Sequence, residues 1–121
     1  MSTFAEMNLP QPLIQRLAQA GLVTPTPVQQ AAIPLAVKGR DIMAQAKTGS
    51  GKTLAFLLPI IEQVMRGEVA APTGPYSKSG PSHSPGPKFL VLAPTRELAL
   101  QIEMELRKYA PLSVTSLSVY G

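Results

Sequence analysis

The stretch Ala46-Lys47-Thr48-Gly49-Ser50-Gly51-Lys52-Thr53 is the most informative part of the sequence. The short apolar run 41–45 precedes it, and the helical pattern 54–58 follows it. A strand, a glycine-rich turn and a helix in this order are the context in which such a turn binds phosphate groups. The stretch therefore predicts an α/β fold in which the turn between a strand and a helix holds an anionic ligand.

The residue types of this turn suit the parts of a nucleoside triphosphate. Gly49 and Gly51 allow the backbone to turn with its N–H groups pointing inward, and the helix N-terminus adds to this anion-binding cradle. We expect Lys52 to reach the outer phosphates and the Thr53 hydroxyl to hold Mg²⁺. Ala46 stands where the general pattern has a glycine. The candidate nucleotide-binding segment is the whole run: Ala46, Lys47, Thr48, Gly49, Ser50, Gly51, Lys52 and Thr53.

Composition places the chain among globular proteins and leaves its partner open. The 121 residues are 45% hydrophobic and 15% charged, with a formal net charge of +4 and a pI near 9.7. A mild basic excess permits a nucleic-acid partner, but an ordinary basic domain fits the charge equally well. The length suits one small domain or part of a larger one.

Several absences narrow the class of protein. Cysteine is absent, which excludes a disulfide scaffold and a thiolate metal site and fits a reducing cytosol. The N-terminus has no basic start followed by an apolar core, so the sequence predicts no signal peptide. The longest apolar run, 54–61, is too short to cross a bilayer. We therefore expect a cytoplasmic protein without a membrane partner.

The remaining sequence alternates between helical and extended patterns. Apolar spacing, capping residues, prolines and glycines predict four helices, at 10–20, 28–38 with an interruption at Ile33-Pro34, 52–65 with a kink near Pro59, and 96–109. Apolar runs predict three strands, at 41–45, 89–93 and 114–119. Strands that alternate with helices indicate a parallel sheet with flanking helices.

Two regions and one insertion divide the predicted domain. We expect residues 1–39 to form a helical region and residues 40–121 to form the nucleotide-binding part. Residues 70–88 are rich in proline, glycine and serine and show no apolar period. This composition predicts a flexible surface insertion or linker.

A glutamine precedes the phosphate-binding stretch and is a candidate for base recognition. Gln29 lies near the first turn of its predicted helix, seventeen residues before Ala46. Its amide offers a donor and an acceptor side by side, and adenine offers N6–H₂ and N7 in the complementary order. Taken alone, the stretch from Gly21 to Gln29 is better explained as a proline-rich helix entry with an ordinary glutamine.

A second helix start follows the predicted strand 89–93. The residues Pro94-Thr95-Arg96-Glu97-Leu98-Ala99 lie at the carboxyl end of that strand, where parallel sheets place ligand sites. A threonine cap, a helix N-terminus and Arg96 suit a phosphate of a nucleic-acid backbone. Helix capping with a surface ion pair explains the same residues without a ligand.

Together these three stretches resemble the first lobe of the DEAD-box ATP-dependent RNA helicases. Residues 21–29 resemble the family's Q motif, and residues 46–53 resemble motif I, in which alanine at the first position is normal. Residues 94–99 resemble motif Ia, and Tyr120-Gly121 stands where a glycine-pair motif begins. The resemblance runs from Phe4 to Gly121 apart from the proline-rich insertion, and only Leu22 departs from a commonly aromatic position.

The resemblance implies roles for individual residues. Phe4 lies seventeen residues before Gly21, where the family keeps an aromatic residue that stacks on adenine. The implied ligands are ATP with Mg²⁺, bound by Phe4, Thr24, Gln29 and the stretch 46–53, with Thr53 on the metal. The implied partner of Pro94, Thr95, Arg96 and Glu97 is the RNA backbone. The implied fold is a RecA-like parallel sheet with flanking helices, truncated after about three strands.

The sequence lacks other parts on which this family depends. It has no Asp-Glu-Ala-Asp string, whose first acidic residue holds Mg²⁺ through water in the family, and no Ser-Ala-Thr motif. The second lobe, which supplies arginines for the transferring phosphoryl group, is absent too. Because phosphoryl transfer depends on positioning and charge stabilisation, the resemblance implies an N-terminal helicase fragment that binds ATP and is inactive alone.

The resemblance also predicts marginal stability. In the RecA-like architecture the strand before the phosphate loop lies between strands that come later in the sequence, so a chain ending at Gly121 leaves it without neighbours. Unpaired apolar strand edges favour aggregation or swapping. We therefore expect a fragment that is loosely packed or self-associated through these edges.

Two other functions remain open at this point. One is a different phosphate-loop enzyme, such as a DNA translocase or a small kinase, against which residues 21–29 and 94–99 argue. The other is a non-catalytic module that binds a nucleotide or RNA. ATP affinity and ATP turnover, measured together on the fragment, distinguish the module from an enzyme.

Overall fold

The computed structural model describes residues 3–67, 87–111 and 114–120. The predicted insertion at 70–88 therefore lies outside the described residues as far as residue 86. The described part contains a short 3₁₀ helix and four α-helices. They are the 3₁₀ helix Phe4–Met7, α1 Gln11–Gln19, α2 Pro27–Val37, α3 Lys52–Arg66 and α4 Arg96–Tyr109.

Capping residues explain where α2 and α4 begin. The Thr26 side chain accepts a hydrogen bond from the Gln29 backbone N–H at 3.4 Å, and the Gln29 side-chain oxygen accepts from the Thr26 N–H at 2.9 Å. This reciprocal arrangement satisfies two N–H groups that the helix itself leaves unpaired. At α4, the Thr95 hydroxyl oxygen accepts from the Leu98 N–H at 3.1 Å. Both predicted helix starts are confirmed.

The predicted interruption at Ile33-Pro34 is wrong, because α2 is continuous from Pro27 to Val37. A proline removes one backbone hydrogen bond from a helix and crowds the preceding turn. Ala32 and Ile33, immediately before it, are buried, and α2 packs along α3. This packing outweighs the lost hydrogen bond, since most helical stability in proteins comes from an apolar face that is buried. Helix α3 also continues through Pro59, and the kink expected there stays a prediction.

A single apolar core joins the N-terminal helices to the helix that follows the phosphate-binding stretch. Helix α1 contacts both the 3₁₀ helix and α4, and α3 contacts α2 and α4. The division of the chain into two regions at position 39 stays a prediction. The core takes residues from both sides of that position. Its buried members are Phe4, Met7, Leu9, Leu13, Leu17, Ile33, Leu54, Leu58, Ile61 and Tyr109.

Two arginines, one from α1 and one from α3, donate hydrogen bonds to backbone carbonyls at the ends of other helices. Arg16 of α1 donates from Nη1 to the Tyr109 backbone carbonyl at 2.8 Å, at the end of α4. Arg66 of α3 donates to the Asn8 carbonyl and also pairs with Glu62 one turn earlier. A cation beside the last carbonyls of a helix satisfies acceptors that have no partner within the helix. The N-terminal residues are thereby tied to α3 and α4.

The predicted strands at 41–45, 89–93 and 114–119 are absent from the described part of the chain, where these segments have no regular secondary structure. This part of the prediction is wrong, and the reason is that a strand needs a hydrogen-bonded neighbour. Large apolar side chains in all three segments are exposed instead, among them Met43, Leu90, Leu92, Leu117 and Val119.

Candidate nucleotide and RNA site

The glycine-rich stretch forms a tight turn immediately before α3. Gly49 and Gly51 have φ angles of +80° and +87°, in the left-handed region that favours glycine. Helix α3 then begins at Lys52, so Lys52 and Thr53 occupy its first turn. Lys52 is exposed and Thr53 is half-buried. The stretch thus presents an ammonium group and a hydroxyl beside a helix N-terminus, where negative charge is stabilised.

Within this turn the backbone is partly closed on itself. The Ser50 N–H donates to the Lys47 carbonyl at 3.2 Å, and the Ser50 hydroxyl donates to the same oxygen. The Ser50 N–H is one of the groups that the sequence predicts to face a phosphate. In this structure it is used inside the turn, so phosphate would have to displace the Lys47 carbonyl to reach it.

Gln29 connects the stretch 21–29 to the phosphate-binding turn. Its side chain is only 4% exposed, and its Nε2 donates to the Gly51 carbonyl at 3.1 Å. That carbonyl also accepts the first backbone hydrogen bond of α3, from the Ala55 N–H at 3.1 Å. The two predicted nucleotide-binding stretches, 22 positions apart at this contact, therefore lie side by side.

The approach of Gln29 leaves no room for a side chain at position 51. A Cβ atom on Gly51 would lie 2.3 Å from the Gln29 Nε2 and 3.0 Å from the Thr26 Oγ1. Gly49, by contrast, has nothing within 4 Å of such an atom. Gly51 is therefore required both by its backbone conformation and by the contact with Gln29.

Phe4 is part of the core and not of an open surface. Its ring is 2% exposed, and its backbone N–H donates to the Val23 carbonyl at 3.0 Å. This bond places the 3₁₀ helix beside the stretch that leads to Gln29, while Thr24 in that stretch is exposed. The predicted stacking on adenine stays a prediction, and in this arrangement the ring face is covered by protein.

The candidate RNA-binding residues lie at the exposed N-terminus of α4. Pro94, Thr95, Arg96 and Glu97 are all exposed. The Arg96 guanidinium carbon lies 5.0 Å from the centre of the Tyr120 ring, within the range of a cation–π contact. Sequence reasoning missed Tyr120 as part of this site.

The carboxylate of Glu103 holds the segment that carries Tyr120 against α4. Glu103 accepts hydrogen bonds from the hydroxyls of Ser116, at 3.1 Å, and Ser118, and it pairs with Arg107 at 2.7 Å. These bonds, that of Ser118 first, lower the pKa of the Glu103 carboxyl below its ordinary value. The alternation of Ser116, Ser118 and Tyr120 was the available sequence signal, since an extended segment places such residues on one face.

Of two cavities formed by the described residues, one lies beside the candidate site. One of about 520 Å³ adjoins the phosphate-binding turn and is mostly apolar, so only its end at Lys52 and Thr53 suits a charged group. Helix α3, α4 and the segment 90–92 contribute its walls: Lys52, Thr53, Phe56, Ile60, Leu90, Val91, Leu92, Leu98 and Ile102. The other, of about 470 Å³, has no lining residue from 46–53.

The chain matches a known protein family. The model of the DEAD/DEAH box helicase family matches residues 26–121, which is most of the chain. The chain belongs to this family. The matched range includes Gln29, the glycine-rich turn 46–53 and Thr95.

Individual relatives agree with this assignment. The chain is 45% identical over its whole length to the pre-mRNA-splicing ATP-dependent RNA helicase PRP28 of Chaetomium globosum, of which it covers 16%. It is 43% identical over 98% of its length to DEAD-box ATP-dependent RNA helicase 20 of Oryza sativa subsp. japonica, of which it covers 22%. This DEAD/DEAH box chain therefore spans about a sixth to a fifth of the length of these curated relatives.

Solved structures show the same relationship. The helicase Prp28 from Chaetomium thermophilum, bound to ADP, superimposes with a TM-score of 0.79 at 43% identity, over 100% of this chain and 27% of that one. A DEAD box protein from the hyperthermophile Methanococcus jannaschii gives 0.68 at 33% identity, over 88% of this chain and 25% of that one. The path of the chain thus matches helicase RecA-like domains, although the described residues contain no sheet.

Two further properties of the described residues bear on ligands and membranes. In residues 3–67, 87–111 and 114–120, no group of three or more His, Cys, Asp or Glu side chains is arranged to hold a metal ion. None of the helices in the same ranges has the length and hydrophobicity of a membrane span.

Proposed function

We propose that this chain is the ATP-binding part of the first RecA-like lobe of an ATP-dependent RNA helicase. The carrying observation is the hydrogen bond from the buried Gln29 amide to the Gly51 carbonyl, which joins a base-recognition candidate to a phosphate-binding turn. The proposed activity of the whole protein is the separation or remodelling of RNA duplexes coupled to ATP hydrolysis. The cytoplasmic location stays a prediction.

The phosphates of ATP would occupy the turn formed by residues 46–53. Its backbone N–H groups and the N-terminus of α3 supply donors and a favourable dipole for the anionic chain. Lys52 is exposed in the first turn of α3, and its ammonium would reach the outer phosphates. Binding requires the Ser50 N–H to leave the Lys47 carbonyl, so the turn opens as phosphate enters.

Magnesium fits this site only together with the nucleotide. Mg²⁺ takes oxygen ligands and is usually held by few protein groups plus substrate phosphates and water. Thr53 offers one hydroxyl beside the turn, and no cluster of three or more acidic or metal-binding side chains lies elsewhere in the described ranges. We propose that the Thr53 hydroxyl and the ATP phosphates jointly bind Mg²⁺ and that the ion offsets the negative charge of the phosphates.

Adenine recognition is proposed for Gln29. The bonds to the Gly51 carbonyl and from the Thr26 N–H use one of its two N–H groups and one of its two oxygen lone pairs. The second N–H and the second lone pair would complement adenine N7 and N6–H₂ once the side chain, 4% exposed in this structure, is uncovered. Thr24, exposed five positions before Gln29, is proposed to line the same site. For Phe4 to stack on the base, the 3₁₀ helix has to shift and uncover its ring.

RNA binding is proposed for the N-terminus of α4. Thr95 uses its hydroxyl oxygen to cap the helix, and Arg96 projects from the first position of α4. An arginine beside a helix N-terminus suits one backbone phosphate, and a contact with phosphate does not distinguish one base sequence from another. Pro94 and Glu97 would shape this contact, and the specificity of the helicase for its RNA would come from elsewhere.

Nucleotide titration of single variants of the full-length protein tests the proposal. Lys52→Ala should abolish ATP binding, because it removes the ammonium that faces the outer phosphates. Gln29→Ala should weaken ATP more than GTP, because the proposed bonds are made to groups that only adenine presents in that order. Isothermal titration of each variant with ATP and GTP measures the two affinities.

Gln30→Ala is the matched control for Gln29. Gln30 has the same side chain at the next position, but it is exposed and donates to the Pro25 carbonyl at 3.0 Å. It should keep the preference of the wild type for ATP. If Gln29→Ala weakened ATP and GTP equally, Gln29 would only support the turn, and the assignment to adenine would fail.

A non-catalytic module remains the second candidate for the 121-residue chain itself. The sequence has no Asp-Glu-Ala-Asp string, so the chain contains none of the acidic residues that would hold Mg²⁺ through water and position the attacking water. We propose that the isolated chain binds ATP without measurable turnover. A steady-state phosphate-release assay on the isolated chain measures this directly.

A further inference from the structure

The segment 114–120 runs back along α4 and ends beside its N-terminus. Its contacts with α4 are those of Ser116 and Ser118 with Glu103, followed by that of Tyr120 with Arg96. Later residues of the segment thus meet earlier residues of the helix. This antiparallel course brings Tyr120 to the place where α4 begins.

The spacing of these contacts matches on the two elements. Arg96 and Glu103 lie seven positions apart, or about 10.5 Å along one face of a helix. Ser118 and Ser116 lie two and four positions before Tyr120, which corresponds to about 7 to 13 Å of extended chain. The contact at Glu103 therefore determines where the Tyr120 ring lies relative to Arg96.

The two faces of the segment 114–120 differ in solvent exposure. Ser116 and Ser118 are half-buried, and Tyr120 is 52% exposed above Arg96. Leu117 and Val119, at the alternating positions, are more than 80% exposed. The polar and aromatic face is therefore the one that meets α4, so replacement of Tyr120 removes no residue of the apolar core.

We propose that Tyr120 is a positioning residue for RNA binding, which holds the Arg96 guanidinium at the N-terminus of α4 and is itself held by Glu103 through Ser116 and Ser118. The inference rests on the RNA-binding role proposed above for Arg96. Stacking uses the face of the guanidinium plane, whereas hydrogen bonds to phosphate are donated from its edge. A ring at this position orders a long, exposed side chain before the phosphate arrives.

RNA affinity of the full-length protein tests this role. Fluorescence anisotropy with a labelled single-stranded RNA and a non-hydrolysable ATP analogue compares wild type, Tyr120→Leu, Tyr120→Phe and Arg96→Ala. Loss of an exposed cation–π contact should weaken RNA binding about two- to fivefold in Tyr120→Leu. Tyr120→Phe keeps the ring and should retain the affinity of the wild type. Ser116→Ala combined with Ser118→Ala should lose part of the affinity.

The double variant Arg96→Ala with Tyr120→Leu separates positioning from direct contact. If Tyr120 acts through Arg96, Tyr120→Leu should have no further effect once Arg96 is removed. An equal loss in both backgrounds, or no loss in the wild-type background, would overturn the inference. The thermal unfolding temperature of each variant shows whether a loss of RNA affinity is caused by destabilisation of the folded protein.

The result for Arg96→Ala alone reports on the proposed function. This variant should weaken RNA binding and lower the salt dependence of the affinity by about one phosphate contact. If it leaves RNA affinity unchanged, the RNA role of α4 is wrong. If it weakens binding while Tyr120→Leu does not, the proposed function stands and only the positioning role is wrong.

Discussion

The helices from the 3₁₀ helix Phe4–Met7 to α3 and the extended segments 89–93 and 114–120 differ in where their apolar side chains lie. Both have apolar side chains in regular patterns, yet the first set is buried and the second exposes Leu90, Leu92, Leu117 and Val119. A helix satisfies its own backbone hydrogen bonds and needs only a surface to pack on. An extended segment must find a neighbouring strand. Apolar pattern alone therefore does not determine burial.

The same difference appears in the candidate site. The contact between Gln29 and Gly51 joins two helix starts through a buried side chain, whereas the contact between Arg96 and Tyr120 involves an extended segment and is exposed. A buried polar group left without its partner costs about 1–3 kcal/mol. An exposed cation–π contact contributes about 0.5–1 kcal/mol. The nucleotide side of the site should therefore tolerate substitution less well.

A pair of leucines tests the contrast at its strongest. Leu58→Ala should lower the free energy of unfolding by about 2–5 kcal/mol, because Leu58 is fully buried between helices and leaves a cavity. Leu117→Ala should change it by less than about 0.5 kcal/mol, because Leu117 is exposed. Urea unfolding of the isolated chain measures both. Equal losses would mean that residues 114–120 are packed in solution, including through the self-association that the sequence predicts.

Two glycines with similar backbone angles sharpen the comparison at the site. Gly39 and Gly51 have φ of +81° and +87°, so alanine at either position is strained by about 1–2 kcal/mol. Only at Gly51 would the new Cβ meet the Gln29 Nε2, while nothing lies within 4 Å at Gly39. Gly51→Ala should therefore cost about 1–3 kcal/mol more than Gly39→Ala in unfolding experiments. Equal costs would show that Gln29 moves aside freely.

The hydrogen bonds to the Glu103 carboxylate should give the smallest effect, which is a dependence of stability on pH. The pKa of Glu103 is lowered in the folded chain, first by the Ser118 hydroxyl and then by Arg107. Its contribution to stability is present at neutral pH and is lost as the pH falls from the ordinary carboxyl range through the lowered pKa. As the pH falls from neutral into the acidic range, Ser118→Ala should lose less thermal stability than the wild type. Identical pH profiles would contradict the hydrogen bond.

Local signals explain which parts of the fold could be predicted. The starts of α2 at Thr26-Pro27 and of α4 after Thr95 are determined by caps that act within one turn, and both are as predicted. The 3₁₀ helix Phe4–Met7 carries a weak signal and was missed. The predicted break at Pro34 is wrong, because a local sequence pattern does not show the contact of α2 with α3 that stabilises the helix.

The site shows the same limit. The stretch 46–53 and the helix start at Thr95 could be recognised from residue types and spacing. The bond of Gln29 to Gly51, the buried ring of Phe4 and the contacts of Glu103 and Tyr120 could not, because each joins residues that lie far apart in sequence.

The sequence by itself determined the residue types of the phosphate-binding turn, the caps of two helices and membership of a helicase family, since these depend on neighbours along the chain. Tertiary structure alone decided that Gln29 contacts Gly51, that Phe4 is buried and that the large apolar side chains of the extended segments are exposed. The physical reason is that burial and strand pairing are properties of two surfaces that meet. A sequence pattern describes only one of them at a time.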